Sequence, residues 1–407
     1  MEAISVRSVF MKVTHISTSL IGGAGNAVLR SHRALMSSGV ESQILSLNTG
    51  VDNSDQGVIK FHRSRIQRVN SRIITRAQNS LIQLGPELLT PISLSYQILE
   101  HESISGADVI HAHANFNFFG LKELIALQAA GKQVVLTLHD QRYFTGGCHY
   151  ALGCTKYKSG CLNCPQATKL GSYFVRESQR KNVSNWKQLS RVKLISPSTW
   201  LKEKAIECGF AQPDNISVIS NPIPDTFLCK ENTHAAFEDN VLVVGFCSFD
   251  ITNPYKGFEL LATALEALAQ KRPEIKVKLL VVGKGKIDKI PKKIEIEVKS
   301  VSDDFKLFRE LSRMNMLVVP SLADNSPSVI GESLMAGTPV IGSTAGGIPE
   351  LIDKKVGGTF RSEDPSALLE AIEKAYKPSN PQEISSRAHS KFSEREYAQK
   401  AISLYGG

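Results

Sequence analysis

Short apolar runs that break off in small or polar residues recur along the chain. In the first half they fall at residues 13–17, 41–47, 108–113 (DVIHAH), 133–139 (QVVLTLH) and 192–196. Runs of this length, rich in Val, Ile and Leu, read as strands of a buried sheet. Residues 26–38 have the apolar spacing of a helix. Strands alternating with helices predict a parallel, doubly wound sheet. In such sheets ligands sit at the carboxyl ends of the strands. The Gly-rich loop 22–25, His111, His113, His139, Asp140 and Ser196 all fall at such ends.

The pattern is interrupted at the turn-rich stretch 220–224 (SNPIP) and the polar stretch 230–240, and then restarts. Strands are expected at 241–246, 277–282, 294–299, 316–320 and 339–342. Helices are expected at 258–271 and from Asp304. Asp303 and Asp304 suit an N-cap and a first-turn acid. The expected class is α/β with two Rossmann-like, doubly wound domains, 1–222 and 223–385. A final helical stretch runs over about 380–405.

The 407 residues fit two or three domains. No run approaches the roughly 18 apolar residues of a membrane-spanning helix. The start of the chain lacks the apolar core and cleavage site of a signal peptide, so a cytoplasmic protein is expected. Met11 opens the first strand, and residues 1–10 read as a dispensable extension. The net charge of +9 admits anionic partners: nucleic acid, a membrane surface or nucleotide-sugars. Part of it is concentrated in residues 60–76, in Lys60, Arg63, Arg65, Arg68, Arg72 and Arg76. Ile66, Val69, Ile73 and Ile74 recur there at helical spacing. Such a basic amphipathic helix reads as binding the inner face of the cytoplasmic membrane, or else as a solvated helix docked by its apolar face. The membrane reading is the one adopted.

Four of the seven cysteines are bunched: Cys148, Cys154, Cys161 and Cys164. A Cys-x2-Cys end with two more thiols nearby is a metal-ligand arrangement, and four thiolates complete a tetrahedral zinc shell. Structural zinc is expected. Unoccupied thiols, disulfides and an iron–sulfur cluster are the alternatives, and His149 could replace one ligand. A closed set of four leaves no open position for catalysis by the metal.

The stretch 320–351 carries the most chemistry. A strand end passes through a polar loop into a helix, then into a second strand and a Gly346-Gly347 turn. Asp324 and Glu332 sit eight positions apart across the loop-to-helix junction. The N–H groups of Ser328, Val329 and Ile330 open that helix, and such groups bind phosphate. Carboxylates nearby can accept hydrogen bonds from sugar hydroxyls. Together these parts suit a molecule that is part diphosphate and part sugar.

The acidic-x7-Glu spacing, followed by SLMAGTPVIG and GGIPE, resembles the donor site of retaining GT-B glycosyltransferases of family 4. Asp324-Asn325-x-Pro327 resembles the branch that builds bacterial exopolysaccharides such as colanic acid. That branch carries a similar segment to His139-Asp140-x4-Thr145-Gly146-x-Cys148, with the later cysteines and Cys164-Pro165. The likeness runs from about residue 11 to 350. It implies two domains facing across a cleft, with residues 386–407 crossing back to the first. It also implies transfer of a hexose, with retention and without a catalytic metal, from a nucleoside-diphosphate sugar to a lipid-linked saccharide. On this resemblance the catalytic residues are His139, Asp324 and Glu332. Glu332 would hold the ribose hydroxyls, with Asp324 and His139 beside the donor sugar. Lys256 would meet the diphosphate, with Gly22, Gly23, Ala24 and the Ser328–Val329–Ile330 backbone. Residues 300–302 would meet the base, His113 would meet the acceptor, and Asp140 would orient His139 or meet the acceptor.

The chain departs from the family at two points. Asp324 stands where Glu is usual. Cys247 or Ser248 stands where an arginine usually accompanies Lys256, so Lys284 is the expected second cation. Other readings are a GT-B nucleotide-sugar epimerase and a non-catalytic module that binds nucleotide-sugar or nucleic acid. Nucleic acid is not the expected partner, because the basic residues are otherwise dispersed along the chain.

Overall fold

The computed structural model describes residues 11–50, 56–83, 89–113, 116–229, 240–287, 293–375 and 380–406. The expected extension at 1–10 lies outside them. The chain forms two compact units, Met1–Ser220 with Tyr397–Gly407, and Asn221–Glu396.

The first unit is built on β1 (Lys12–Ser19), β2 (Glu41–Asn48), β3 (Val58–Lys60), β4 (Val109–Ala112), β5 (Gln133–Thr137), β6 (Lys193–Ser196) and β7 (Ile216–Val218). They lie in the order β3-β2-β1-β4-β5-β6-β7, each pair parallel. The helices are α1 (Gly22–Ser37), α2 (Arg65–Asn79), α3 (Glu102–Ser105), α4 (Leu121–Ala129), α5 (Lys169–Trp186) and α6 (Thr199–Glu207). Alternate strand residues serve opposite faces. Val13, Val109, Val135 and Ile195 pack with Ala34 and Leu35 of α1. Ile16, Ile110, Leu136 and Leu194 pack with Leu124 and Leu127 of α4 and Val175 of α5. Burying each such side chain is worth about 1.5–3 kcal/mol. A sheet covered on both faces leaves no polar side of its own, which explains the unbroken apolar runs.

The second unit repeats the plan. Its strands are β8 (Val241–Asp250), β9 (Lys276–Lys284), β10 (Glu295–Lys299), β11 (Met316–Val319), β12 (Val340–Ser343) and β13 (Gly357–Phe360). They are parallel in the order β10-β9-β8-β11-β12-β13. The helices are α7 (Phe258–Lys271), α8 (Asp304–Leu311), α9 (Ser328–Met335), α10 (Ile348–Leu351), α11 (Pro365–Ala375) and α12 (Pro381–Phe392). Leu279, Val281, Val318 and Ile341 meet α7 and α11 on one face. Leu280, Val282, Leu317 and Val340 meet α8, α9 and α12 on the other. Asp303 caps α8 by accepting from the Lys306 N–H at 2.8 Å.

Two expectations change. The GGAG stretch is not a loop before a helix but the first turn of α1 itself. The single helix expected over 380–405 is two, α12 and then α13 (Glu394–Gly406). Ser393 breaks it: its backbone is extended, and its hydroxyl accepts from the Glu396 N–H at 3.3 Å. Tyr397, Ala398, Ala401 and Tyr405 of α13 complete the first unit's core. The Tyr405 hydroxyl bonds His111 Nδ1 at 2.7 Å, and Lys193 Nζ donates to the Leu404 carbonyl at 2.7 Å.

Helix α2 opens with a capping box in which Ser64 and Gln67 bond each other's backbone N–H. Gln78 is its buried residue, whereas Ile66, Val69 and Ile73 are 73%, 48% and 59% exposed. Among the apolar residues of α2, Ile66, Val69 and Ile73 are therefore left uncovered, whereas Ile74 is half-buried. Among the described residues no helix is long and apolar enough to cross a membrane.

Candidate active site

In each sheet the order reverses beside the first strand of the series: between β1 and β4, and between β8 and β11. Ligand crevices of doubly wound sheets open at the carboxyl ends there. The candidate residues of each unit gather around its own reversal point.

In the second unit, Lys256 follows β8, Asp324 follows β11, and Glu332 lies on the second turn of α9. The turn holding Lys256 is fixed by Asn253, whose side-chain Oδ1 accepts from the Tyr255 N–H at 3.0 Å, and by the Leu322 N–H, which donates to the Tyr255 carbonyl at 2.7 Å. That second bond ties the loops after β8 and β11 together. Lys256 Nζ thereby reaches Asp324 Oδ2 at 2.6 Å. Asp324 and Glu332 are each 5% exposed. Asp324 is clamped from behind. Its carbonyl accepts from the Gly347 N–H at 3.2 Å, and a Cβ on Gly346 (φ +59°) would fall 1.8 Å from that same oxygen. No side chain fits there, which accounts for the Gly-Gly turn.

Lys256 thus neutralises Asp324, and the two residues assigned to diphosphate and sugar are partners in the protein itself. Cys247 lies close to Glu332 and Lys256; burial, and then Glu332, push its thiol well above its ordinary range, so it stays neutral. It brings no cation to replace the missing arginine. Lys284 lies over the Phe249 ring, 5.3 Å from its centroid. The start of α9 has Pro327 as its preceding residue, which offers no side-chain acceptor. Of the three N–H groups proposed for phosphate, that of Ile330 already donates to the Pro327 carbonyl at 3.1 Å. The Ser302 hydroxyl, in the stretch assigned to the base, donates to Asp303 at 3.0 Å.

In the first unit, Gly22, Gly23 and Ala24 begin α1, and a Cβ on either glycine would meet nothing within 4 Å. Four histidines stand together: His15 within β1, His111 within β4, and His113 and His139 just beyond β4 and β5. His15 Nδ1 bonds His113 Nε2 at 2.9 Å, and His113 Nδ1 bonds His139 Nε2 at 3.1 Å. His111 stacks on His113 with centroids 4.2 Å apart and bonds Tyr405 and Thr137, both at 2.7 Å. His15, His111 and His113 are buried, and His139 is half-buried. Burial pulls all four below the ordinary imidazole value: His111 to about 3 and His139 to about 4, where Asp140 partly offsets it.

Three further expected residues are placed as follows. His113, expected at the acceptor, is buried with both ring nitrogens bonded to histidines. Asp140, expected to orient His139 or meet the acceptor, bonds His149 Nδ1 at 2.5 Å. Burial opposes ionisation of Asp140, but His149 and the Arg142 N–H outweigh it and hold the carboxyl below its usual range. His149 also bonds Thr90 Oγ1 at 3.2 Å, so both its nitrogens are engaged away from the cysteines. His15 went unnoticed because it lies inside β1. Only its register opposite His111 on β4 reveals it.

The thiols of Cys148, Cys154, Cys161 and Cys164 line one small cavity with Ala151 and Tyr157. None forms a disulfide. A hydrogen bond from Cys148 and the N–H groups of Gln166 and Ala167 bring Cys164 down to about 6 against burial, whereas burial pushes Cys161 up to about 12. Among the described residues, the cluster whose ligand atoms all lie within 4.8 Å of one another is His15, His111 and His113. The four sulfurs therefore surround a space without closing on it.

With this geometry in place, the comparisons with known proteins are direct. Residues 21–227, just over half of the chain, match the model of Glycosyltransferase Family 4, and residues 239–377 match that of Glycosyl transferases group 1. The chain belongs to glycosyltransferase family 4. It is 23% identical to WcaC of Escherichia coli (strain K12), named as a colanic acid biosynthesis glycosyl transferase, over 94% of this chain and 96% of that one. Among solved structures it resembles Anabaena HepE in complex with UDP-glucose (TM-score 0.61, 16% identity, 98% of this chain and 100% of that chain). It also resembles sucrose-phosphate synthase from Thermosynechococcus elongatus (TM-score 0.63, 15% identity, 97% and 98%). The fold is GT-B.

The histidine cluster makes stability depend on acid. His15, His111 and His113 are neutral when folded and titrate near the ordinary 6.5 when unfolded. Their contribution is complete above about pH 6.5 and is lost as pH falls toward their folded values, at about 1.4 kcal/mol per histidine per pH unit. Urea unfolding at pH 7.5 and 5.5 is expected to show a clear loss at the lower pH. An unchanged midpoint would mean that these rings carry protons in the folded protein.

Proposed function

We propose that this protein transfers a hexose from a nucleoside-diphosphate sugar to a lipid-linked saccharide, with retention, in polysaccharide biosynthesis at the cytoplasmic side of the membrane. The observation that carries the reading is the grouping of Lys256, Asp324 and Glu332 beside the start of α9. As the diphosphate leaves, negative charge grows on its oxygens, and catalysis requires fixed cations and N–H dipoles aimed there. Lys256 and the Ser328–Val329 backbone supply them. Ile330 contributes through the turn it closes. Once Lys256 turns to phosphate, Asp324 is released to accept from a sugar hydroxyl, and Glu332 accepts from the ribose. A single cation serves both partners, which suits a chain without the usual arginine. In the first unit the reading assigns Gly22, Gly23 and Ala24 to phosphate and His139 to the sugar. Retention requires the acceptor hydroxyl to enter on the face from which the diphosphate departs. HepE with UDP-glucose and the name of WcaC support the donor class and the pathway.

UDP-glucose is the first donor to test, by thermal shift and then by turnover. Glu332→Gln and Lys256→Ala are each expected to lower turnover at least tenfold while far-UV circular dichroism stays unchanged. Full turnover in both would remove the donor site. Nucleotide release in the absence of any acceptor would favour the epimerase reading.

Helix α2 is the proposed membrane contact. Ile66, Val69 and Ile73 would enter the lipid surface, flanked by Arg65, Arg68, Arg72 and Arg76. Each basic residue near an anionic surface is worth about 1 kcal/mol. The chain should sediment with phosphatidylglycerol vesicles and not with phosphatidylcholine alone, and Ile66→Asp with Ile73→Asp should abolish it. Equal binding of the variant would sink the assignment.

The four-cysteine cavity is proposed to hold structural zinc. The donor set fits: four sulfurs on one cavity, with backbone N–H groups already directed at Cys164. Binding would draw the sulfurs together. Elemental analysis should give about one zinc per chain and much less in Cys161→Ser; a zero for the unaltered protein would leave the thiols metal-free.

A further inference from the structure

We propose that the first turn of α5 and the tip of the four-cysteine loop form a second contact for an anionic lipid surface, beside the one assigned to α2. The proposal rests on the membrane reading of α2 and extends it to a segment which that reading does not use.

Large apolar side chains stand exposed here. In α5, Leu170 and Tyr173 are 63% and 60% exposed, while Gly171 and Val175 are buried. Positions three apart share one face of a helix. On the loop, Leu162 is 50% exposed between Cys161 (φ 53°) and Asn163 (φ 50°). A left-handed backbone is costly at residues other than glycine, and the surrounding structure must hold it. Two bonds do so: the Cys161 N–H donates to the Lys156 carbonyl at 2.9 Å, and Lys156 Nζ donates to the Asn163 carbonyl at 2.7 Å. The tip of the turn is thereby an aliphatic side chain carried out into solvent.

The loop, the start of α5 and the end of α2 are tied together. The Cys164 carbonyl accepts from the Ala167 N–H at 3.4 Å and from the Ser172 hydroxyl at 3.5 Å, which returns the loop onto α5. The Leu81 carbonyl, just past α2, accepts from the Thr168 N–H at 3.0 Å, and Ile82 pairs with Ala167. A Cβ on Gly171 would fall 2.0 Å from that Leu81 oxygen, so glycine is required for the approach. Two contacts joined in this way fix how the first unit faces a membrane, whereas a single helix leaves it free to roll.

Charge selects the occupant. Between residues 152 and 183 stand Lys156, Lys158, Lys169, Arg176, Arg180 and Lys181, against a single acid, Glu177. Glu177 pairs with Arg180 at 2.9 Å, and Lys158 with Glu207 at 2.7 Å. Leucines amid lysine and arginine suit a headgroup layer, where aliphatic groups enter and cations meet phosphates. Tyrosine favours the same boundary. A second copy of this chain fits less well, because a two-fold contact would set this basic face against itself.

The full chain is to be sedimented with vesicles of phosphatidylglycerol and phosphatidylcholine, and with phosphatidylcholine alone. Leu162→Ser, Leu170→Ser and Tyr173→Ser combined should weaken binding to the anionic vesicles at least about tenfold while α2 is intact and the melting temperature unchanged. In a separate Leu170→Trp chain, emission should shift to the blue on anionic vesicles and be quenched by brominated lipid. A triple variant that binds like the unaltered protein, or a Trp at 170 that stays in water on bound protein, overturns the proposal and leaves α2 as the contact. No binding by the unaltered protein removes the membrane reading itself, and this proposal with it. Self-association lost in the triple variant with no change on vesicles would make the face a contact between copies, and also overturns it.

Discussion

Everything chemical in this protein follows from sheets that must hide both faces. A parallel strand covered on each side by helices has no room for solvated groups along its length. Formal charge collects where strands end, and a polar side chain within a strand, such as His15 or His111, must bond to its neighbours. The two reversal points, β1 against β4 and β8 against β11, are the places where neighbouring connections depart in opposite directions and leave those ends uncovered. Lys256 and Asp324 in one unit, and His139 in the other, occupy such ends. The Lys256–Asp324 pair also ties the loops after β8 and β11 together through their side chains, as Leu322 and Tyr255 do through their backbones.

The two units handle polarity in opposite ways. The second keeps formal charges: two buried carboxylates and a lysine, with a neutral thiol close to Glu332 and Lys256. The first, in its histidine cluster, keeps polarity without charge, by stacking rings whose burial disfavours protonation. A charged cluster can answer the charge that develops on a departing diphosphate. A neutral one can orient hydroxyl groups without attracting ions. Both are held by groups that cannot move freely: the Gly346-Gly347 turn behind Asp324, and Tyr405 and Thr137 on His111.

Much of this was legible from residues that act locally. The apolar runs gave the strands that form the centre of each sheet, and the Asp324–Glu332 spacing marked the loop and helix that carry them. Asp303 was legible as a cap because an N-cap needs only its own helix. The partners of Asp140 were not legible, since His149 reaches it through a fold of the intervening segment. His15 was hidden by position: a histidine inside an apolar run looks like an interruption until the neighbouring strand brings His111 alongside. The strand β13 (GGTF) has almost no apolar signal, and its pairing with β12 defines it. The break at Ser393 depends on a single serine whose hydroxyl turns from solvent to the next helix, which composition does not reveal.

The passage of the chain out of the first unit after Ser220 and back at Tyr397 has a consequence for biogenesis. A chain emerging from the ribosome folds its earlier domain first when that domain is locally complete. Here it is not. Until residues 397–406 have been made, Val13, Val135 and Ile195 lack the aromatic and small side chains that cover them, and His111 lacks its partner 294 residues away. Contacts this distant in sequence are slow to close. The nascent first unit must therefore wait, partly uncovered, through the synthesis of the whole second unit. Its apolar face is then a natural substrate for chaperones, and a ribosome that stalls late releases a product whose first unit is unfinished.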